Sequence, residues 1–333
     1  LVEYDLFGLG NALVDALVVV DERELLHRHD LHRGTMHLVD DDRWQAVYGE
    51  VPHANVELHP GGSCANAIST AALLGARVTF CGLVGTDALG LTYERRLRET
   101  LGGHHLVQRD GAPTGKCLSL ISSHDAERTM LTDLGVSMEL RPQEVDLKAL
   151  ANSRWMHTTG YLFTGGSMGD AALAALDHAL QVGTHVSIDL GDPFVIQHFR
   201  DRIDLVVERY ANVVFMNHDE AAMLGGGDAF GALHELGRTV DTVVLKLGRR
   251  GSLVIHHGEL VPIEALQVKA VDTTGAGDAY AGGFLFGLTR GWDPQACGRL
   301  ASAAAALTVA QVGGVVRERA LLADLVQTYT TQP

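Results

Sequence analysis

The stretch Val271-Asp-Thr-Thr-Gly-Ala-Gly-Asp-Ala-Tyr-Ala-Gly-Gly-Phe284 is the segment around which the chain is organised. Gly275 and Gly277 allow a tight turn in which backbone N–H groups come close to a ligand. The apolar run that follows predicts a helix, so Asp278 falls in its first turn, where a negative charge suits the helix dipole. A helix N-terminus with exposed amides also binds phosphate or an oxyanion. This segment therefore predicts an anion cradle beside a candidate general base.

The composition is typical of a globular chain with a large core. The 333 residues, 46% of them hydrophobic, are enough for one large domain or two small ones. No apolar run reaches the roughly 18 residues of a membrane span. The N-terminal residues lack the basic region of a secretory signal. We therefore expect neither a membrane partner nor export.

Charge and cysteine content narrow the function classes further. The formal net charge of −15 argues against nucleic acid as a partner, because nucleic-acid binding requires a basic surface. A phosphate ligand is still compatible, since amides and a few cations can hold it locally. The four cysteines lie far apart, without metal or disulfide spacing, so we expect a reduced, cytoplasmic protein. The 17 histidines form no convincing set of metal ligands.

Secondary-structure patterns predict an α/β domain with a lid. In the second half, strand and helix patterns alternate, which predicts a mostly parallel sheet with helices on both faces. The first half has β-rich pieces outside this alternation, including a hairpin of residues 116–122 and 128–132 around a turn at 123–126. We expect one domain over residues 1–333. Its lid would be assembled from about residues 12–20, 33–60 and 104–134.

The first polar candidates follow a predicted strand over residues 4–9. This strand ends in Gly8-Leu-Gly-Asn11, but Leu13 replaces the third glycine of a dinucleotide fingerprint, and a strand rather than a helix follows. The pattern excludes a dinucleotide-dependent oxidoreductase. Asn11 and Asp15 are suited to hydrogen bonds with hydroxyl groups, or they are a turn residue and a solvated acid.

The second candidate is Gly61-Gly-Ser-Cys-Ala-Asn66, where a predicted turn over residues 59–63 leads into a helix. Paired glycines permit close approach of a ligand and a hinge-like change of φ and ψ. Asn66 falls one turn into the helix. An ordinary helix entry with Ser63 as the N-cap explains the same pattern.

Three further candidates lie beyond this helix. In Asn217-His-Asp-Glu220, Glu220 either completes a capping box with Asn217 or holds water or Mg²⁺ near phosphates at the carboxyl edge of the sheet. Lys246-Leu-Gly-Arg-Arg-Gly251 is a basic turn that either contacts nucleotide phosphates or only connects a hairpin. Arg128 on the lid hairpin is either a mobile cation that reaches a transferring phosphate or a surface strand residue.

Three of these motifs together resemble the ribokinase-like (PfkB-type) family of sugar and nucleoside kinases. They are Asp272-Thr-Thr-Gly-Ala-Gly-Asp278, Gly61-Gly-Ser-Cys-Ala-Asn66 and Asn217-x-x-Glu220, in the family's order across nearly the whole chain. The resemblance implies an α/β, three-layer αβα fold with a mostly parallel central sheet and a small β-sheet lid. It also implies ATP and Mg²⁺ as cofactors.

The resemblance assigns roles in phosphoryl transfer, which depends on positioning, charge stabilisation and a base for the hydroxyl. Asp278 would be the base, the Gly275-Ala276-Gly277 amides the anion hole, and Arg128 a cation approaching the γ-phosphate. Glu220 would hold Mg²⁺ through water, and Asp272 would contribute to a site for a monovalent cation such as K⁺. The residues expected to bind ATP are Asn217, Lys246, Gly248, Gly251 and Thr274.

Within this family the chain is most similar to the adenosine kinases. Gly8-Leu-Gly-Asn-Ala-Leu-Val-Asp15 resembles their opening Gly-x-Gly-Asn-x-Leu-x-Asp, and Glu127-Arg-Thr-Met130 resembles another of their segments. This likeness implies phosphorylation of the ribose 5′-hydroxyl of adenosine, a step of purine salvage. The residues expected to bind the substrate are Asn11, Asp15, Met36, Gly61, Gly62, Asn66 and Tyr161.

Two alternatives stay open. Thr274 occurs widely among the family's sugar kinases, whereas eukaryotic adenosine kinases carry Asn, so a free sugar such as fructose or ribose could be the acceptor. Apolar residues around Met36 and Tyr161 would favour a nucleoside, and a polar wall a sugar. The other alternative is a sensor that binds nucleoside or nucleotide without turnover, against which the intact Asp278 argues. Either a monomer or a homodimer is expected.

Overall fold

The computed structural model describes residues 2–125 and 127–330. Ala126 of the predicted lid turn, and residues 1 and 331–333 of the predicted domain, lie outside the described residues. The strands, in chain order, are β1 (Tyr4–Leu9), β2 (Leu13–Val20), β3 (Met36–Leu38), β4 (Glu57–Gly61), β5 (Val78–Cys81), β6 (Leu83–Gly85), β7 (Val107–Arg109), β8 (Gly115–Ser122), β9 (Arg128–Asp133), β10 (Ser153–Thr159), β11 (His185–Asp189), β12 (Val213–Asn217), β13 (Thr242–Lys246), β14 (Ser252–His256) and β15 (Glu259–Ile263).

Helices connect these strands. In chain order the α-helices are α1 (Arg23–Arg28), α2 (Asp41–Tyr48), α3 (Ser63–Leu73), α4 (Ala88–Leu101), α5 (Leu147–Ala151), α6 (Met168–Val182), α7 (Pro193–Arg209), α8 (His218–Leu224), α9 (Ala229–Leu236), α10 (Ala276–Thr289), α11 (Pro294–Val309) and α12 (Arg319–Thr330). Short 3₁₀ turns lie at His53–Asn55, Gly135–Glu139, Pro142–Glu144, Gly160–Phe163 and Gly248–Arg250. None of the helices in the described part of the chain is both long and apolar enough to cross a membrane.

The main sheet has the strand order β15-β14-β13-β12-β11-β10-β1-β5. Neighbours from β5 across to β13 are parallel, and the two pairings at the other edge, β13 with β14 and β14 with β15, are antiparallel. The prediction of a mostly parallel sheet is confirmed. All strands from β5 to β13 therefore end at the same edge, which is where open α/β sheets bind ligands.

Helices cover both faces of this sheet because its side chains alternate between the two faces. Phe7 packs with residues of α6 and α7, including Ala175 and Ile203. Its neighbour Leu6 packs on the other face with residues of α3 and α10, including Ile68. The result is the predicted three-layer αβα fold.

A second sheet, which we call the lid sheet, has the order β3-β9-β8-β2-β4. On one face, Leu118 and Leu131 form a separate small core with Trp44 of α2. Because strand residues alternate, the neighbours of Leu131 in β9, Met130 and Thr132, lie on the opposite face. They line the cavity described below. The strand β7, in contrast, pairs with β6 outside the lid sheet.

The predicted turn over residues 59–63 is wrong in part. Residues 57–61 form the strand β4, which pairs with β2 at the edge of the lid sheet. Pro60 and the glycines after it favour a turn, but proline is tolerated on an edge strand because its missing N–H can face away from the partner strand. The sequence patterns do not predict the helices α9 and α12 or the strand β15.

Candidate functional site

The strand ends of the main sheet and the inner face of the lid sheet line one cavity of about 370 Å³. Asn11 follows β1, Asp189 ends β11, and Lys246 ends β13, and all three contact this cavity. Met36 and Arg128 reach it from the lid sheet. The cavity therefore brings together residues more than 200 positions apart in the sequence.

The N-terminus of α10 forms one wall of the cavity. Gly275, its N-cap, has φ 70°, in the left-handed region that glycine adopts without strain. A Cβ atom at this position would also collide with the backbone of Gly314. The first turn of the helix leaves amide N–H groups without intrahelical acceptors. The loop is thus shaped to present positive backbone dipoles to an anion.

Asp272 stabilises this loop by accepting hydrogen bonds from it. Its buried Oδ1 accepts hydrogen bonds from the Thr274 N–H at 2.9 Å and the Thr274 hydroxyl at 2.6 Å. Its Oδ2 accepts a bond from the Gly313 N–H at 2.9 Å. Asp272 does not line the cavity, and its carboxylate ties the anion-cradle loop to the segment after α11.

Asp278, in the first turn of α10, faces the cavity. Its Oδ1 accepts a hydrogen bond from the Ser63 hydroxyl at 2.7 Å, and its Oδ2 accepts one from the Asn66 side-chain amide at 2.9 Å. Burial raises the pKa of Asp278, and these two bonds lower it. The net effect is a raised pKa, so the carboxylate is held in one orientation and is a stronger base than an exposed aspartate.

Ser63 is not the N-cap of α3, contrary to one interpretation of the sequence. The N-cap is Gly62, with φ 94° and no side-chain cap, and Ser63 is the first helical residue. Its hydroxyl bonds Asp278 instead of its own helix. No local signal reveals this, because the partner is 215 residues away in the chain.

Asn11 and Asp15 lie elsewhere on the cavity wall with unused hydrogen-bonding capacity. Asn11 Oδ1 is buried without a hydrogen-bond partner in the described part of the chain. Asp15 is 9% exposed, and burial, with the charge of Asp278, raises its pKa to about 7. Buried polar atoms without partners are costly, so these groups are suited to a ligand rich in hydroxyls.

Two cations reach the cavity. Arg128 Nη1 is buried and has no hydrogen-bond partner among residues 2–125 and 127–330. Lys246 Nζ lies 2.5 Å from Asp189 Oδ2, in a largely buried ion pair. Asp189 was not among the sequence candidates. The signal that could have found it is its place after a buried strand, at the same sheet edge as Asn217 and Lys246.

Glu220 completes the capping box that the sequence allowed. Its Oε2 accepts a bond from the Asn217 N–H at 2.8 Å, and its Oε1 accepts one from the Asn217 side chain at 2.5 Å. Burial and the nearby Asp189 raise the pKa of Glu220 to about 8. Within the described ranges, no three His, Cys, Asp or Glu side chains cluster to hold a metal ion.

Not every sequence candidate lines the cavity. Gly61 packs against the Asp15 carboxyl group. Gly251, in the turn between β13 and β14, packs against the backbone of Ile263 in β15. Asp272 lies outside the lining as well, as described above. The other candidates do line the cavity; those not yet placed are Met36, Tyr161, Gly248, Ala276 and Gly277.

The ion pair between Lys246 and Asp189 should matter for stability. We expect Lys246→Met to lower the free energy of unfolding by about 3–5 kcal/mol, because it leaves a buried carboxylate unpaired. Adding Asp189→Asn should restore part of the loss. Urea denaturation measures both, with Arg98→Met, which breaks an exposed pair with Glu94, as the control at under about 1 kcal/mol. Equal losses in the Lys246→Met and Arg98→Met variants would contradict the expectation.

Known proteins resemble this chain in both sequence and fold. A model of the pfkB family carbohydrate kinase matches residues 35–318. An adenosine kinase of Dictyostelium discoideum is 30% identical over 311 residues, 86% of this chain and 89% of the relative. The crystal structure of adenosine kinase from Sinorhizobium meliloti superposes with a TM-score of 0.91 at 31% identity, covering 98% of this chain and 99% of that one. A probable sugar kinase protein from Rhizobium etli CFN 42 superposes with a TM-score of 0.92 at 26% identity, over 99% of both chains.

Proposed function

Because the chain belongs to the pfkB family of carbohydrate kinases, we propose that it transfers the γ-phosphoryl group of ATP to the ribose 5′-hydroxyl of adenosine. The chain is a kinase with the ribokinase-like α/β fold. Adenosine as the acceptor is supported by the relatives named adenosine kinase and by the wall of the cavity. In this role the protein would act in purine salvage.

The observation that carries the proposal is the division of the cavity into two chemically different walls. Asp278, the start of α10 and Lys246 supply a base, amides and positive charge on one wall, and Arg128 adds a second cation from the lid sheet. The inner face of the lid sheet supplies an apolar wall, formed with neighbouring segments by Leu13, Met36, Leu38, Cys117, Met130, Leu134 and Tyr161. A free sugar has no apolar ring system to bury there, whereas a purine base does. The apolar wall therefore favours a nucleoside over fructose or ribose.

The cofactors of this family's kinases, ATP with Mg²⁺, fit the residues present. The buried, unpartnered Nη1 of Arg128 and the amides at the start of α10 are suited to phosphate oxygens. Mg²⁺ binds through one or two carboxylates plus water and substrate phosphates, so Glu220 would hold it through water without a cluster of ligands. When bound, Mg-ATP would supply the phosphoryl group and neutralise part of its charge. The residues that would hold it are Asn217, Lys246, Gly248 and Thr274.

We also propose a monovalent cation such as K⁺ next to the anion cradle, with only a supporting role for Asp272. Each oxygen of the Asp272 carboxylate already accepts hydrogen bonds within the loop region. A cation there would be bound mainly by backbone carbonyl oxygens, with Asp272 in support. Activity with potassium and with sodium salts at equal ionic strength would test this role.

Residues of the cavity would act one after another in phosphoryl transfer. Asp15, Asn11 and Asn66 would hold the ribose hydroxyls and aim the 5′-hydroxyl at Asp278. Asp278 would remove its proton as the oxygen attacks the γ-phosphorus of ATP, whose bond to the bridging β-phosphate oxygen would break to release ADP. The Gly275–Gly277 amides and Arg128 would stabilise the charge on the phosphoryl group. Because Arg128 belongs to the lid sheet, closure of the lid would deliver this cation and exclude water at the same step.

A coupled assay with Mg-ATP tests the proposal against its alternatives. The acceptors are adenosine, guanosine, inosine, cytidine, ribose and fructose at equal concentration. We expect the highest kcat/KM for adenosine. Equal activity on ribose and adenosine would refute the nucleoside assignment, and binding of adenosine without turnover would favour a sensor.

Acceptor affinity should depend on pH through Asp15. With its pKa raised to about 7, Asp15 is protonated at pH 6 and loses acceptor strength, so kcat/KM for adenosine should fall as the pH decreases through 7. The Asp15→Asn variant should be slow and lack this dependence. Unchanged pH behaviour in that variant would exclude Asp15 as the titrating group.

The same pKa shift has a consequence for stability. The folded state binds the Asp15 proton more tightly than the unfolded state, where the pKa is near 3.8, so this group's contribution to stability falls as pH rises between the two values. Asp15→Asn should therefore raise Tm relative to the wild type more at pH 8 than at pH 5. Thermal melts of both proteins at the two pH values measure the difference.

A further inference from the structure

The start of α3 brings two polar side chains onto one face of the helix. Ser63 is the first helical residue and Asn66 lies three residues later, so their side chains are neighbours one turn apart. The chain enters the helix through Gly62, whose φ of 94° and contact with the Asn11 carbonyl leave no room for a Cβ atom. This entry sets the direction of the first turn and hence of both side chains.

These two side chains donate hydrogen bonds to the two oxygens of one carboxylate. Ser63 Oγ donates to Asp278 Oδ1 at 2.7 Å, and Asn66 Nδ2 donates to Asp278 Oδ2 at 2.9 Å. The helices α3 and α10 that carry these groups also pack closely, since a Cβ atom at Gly282 would overlap the Ala67 carbonyl. The hydrogen bonds thus join two rigid elements across the cavity wall.

We propose that Ser63 is a positioning residue for the base: its hydroxyl holds Asp278 Oδ1 so that Oδ2 faces the acceptor hydroxyl. This inference deepens the proposed function and rests on Asp278 being the base. Asn66 has a second task in that function, binding a ribose hydroxyl, so its bond to Oδ2 can be exchanged for the substrate. Ser63 keeps its bond throughout the reaction.

Removal of the Ser63 hydroxyl should change the basicity of Asp278 as well as its orientation. The bond from Ser63 lowers the pKa of Asp278 against the effect of burial. The other charged groups near Asp278 do not change in Ser63→Ala. They are Asp15 and Arg128 on the lid sheet, Asp189 on β11, Lys246 on β13, Glu220 on α8 and Asp272 before α10.

The kinetic test compares Ser63→Ala with a matched control, Ser69→Ala, a buried serine of the same helix outside the cavity lining. We expect Ser63→Ala to lower kcat by about 10–100-fold, with the acid limb of the kcat–pH profile displaced to higher pH and KM for the acceptor within about threefold. Ser63→Thr, which keeps a hydroxyl, should restore most of kcat. Ser69→Ala should leave the profile in place. A Ser63→Ala profile with an unmoved acid limb would overturn the proposal.

A second measurement is independent of turnover. Carboxyl ¹³C NMR titration of the free protein gives the pKa of Asp278, with its signal identified by its absence in Asp278→Asn. We expect this pKa to be higher in Ser63→Ala than in the wild type and in Ser69→Ala. An unchanged pKa would contradict the role of Ser63 even if the enzyme is active. A raised pKa in a protein that phosphorylates no acceptor would support the contact and refute the proposed function instead.

Discussion

Asp278→Asn is expected to reduce kcat by about 10²–10⁴, with KM for ATP and for the acceptor within a few-fold of the wild type. The substitution keeps the shape of the side chain at the start of α10 but removes the only atoms there that can take a proton. The loss should therefore fall on the chemical step. Steady-state kinetics with both substrates varied separate this effect from one on binding.

The matched control for this variant is Asp170→Asn. Asp170 also lies in the first turn of a helix, α6, but it is exposed and outside the cavity lining. Its substitution should leave kcat unchanged. Retention of kcat within roughly tenfold of the wild type in Asp278→Asn would rule out Asp278 as the base.

Arg128→Ala is the second substitution with a large expected effect. Its Nη1 is buried at the cavity without a partner in the described ranges, which is costly unless an anion binds there during the reaction. We expect kcat to fall by about 10²–10³, as for other single groups that stabilise transition-state charge. Arg128→Lys should recover part of this loss, since it keeps the charge and loses the planar donor geometry.

Thermal melts should accompany these kinetics. Removing a buried N–H donor that has no hydrogen-bond partner in the described ranges relieves a desolvation cost, so Arg128→Ala should be at least as stable as the wild type while being slower. Arg43→Ala serves as the control, because Arg43 lies on the lid helix α2 and is exposed. Equal kcat in the Arg128→Ala and Arg43→Ala variants would contradict a catalytic role for Arg128.

Much of the architecture could be predicted because local patterns of apolar and polar residues determine it. Buried strands followed by helices predict the parallel sheet, and its parallel strands necessarily end at one edge. Motifs that follow strands, such as Asn217–Glu220, therefore had to meet there. The Gly-x-Gly-Asp sequence at 275–278 predicts the anion cradle for the same local reason, the conformational freedom of glycine before a helix.

The parts that could not be predicted depend on contacts between distant segments. The bond from Ser63 to Asp278 requires α3 and α10 to pack together. Asp189 at the end of β11 joins the site by pairing with Lys246 at the end of β13, across the intervening strand β12. The strand β4 was missed because pairing with β2 overrides the turn preference of its proline and glycines. In each case the partner, and not the residue itself, determines the role.

Following the γ-phosphoryl group of ATP into its product tests the proposed kinase activity most directly. The protein is incubated with Mg²⁺ and γ-labelled ATP together with adenosine or with 5′-deoxyadenosine, which lacks only the acceptor hydroxyl. We expect labelled AMP from adenosine, no labelled nucleoside from 5′-deoxyadenosine, and loss of AMP formation in Asp278→Asn. Label that appears only as inorganic phosphate, at the same rate with either nucleoside, would contradict it.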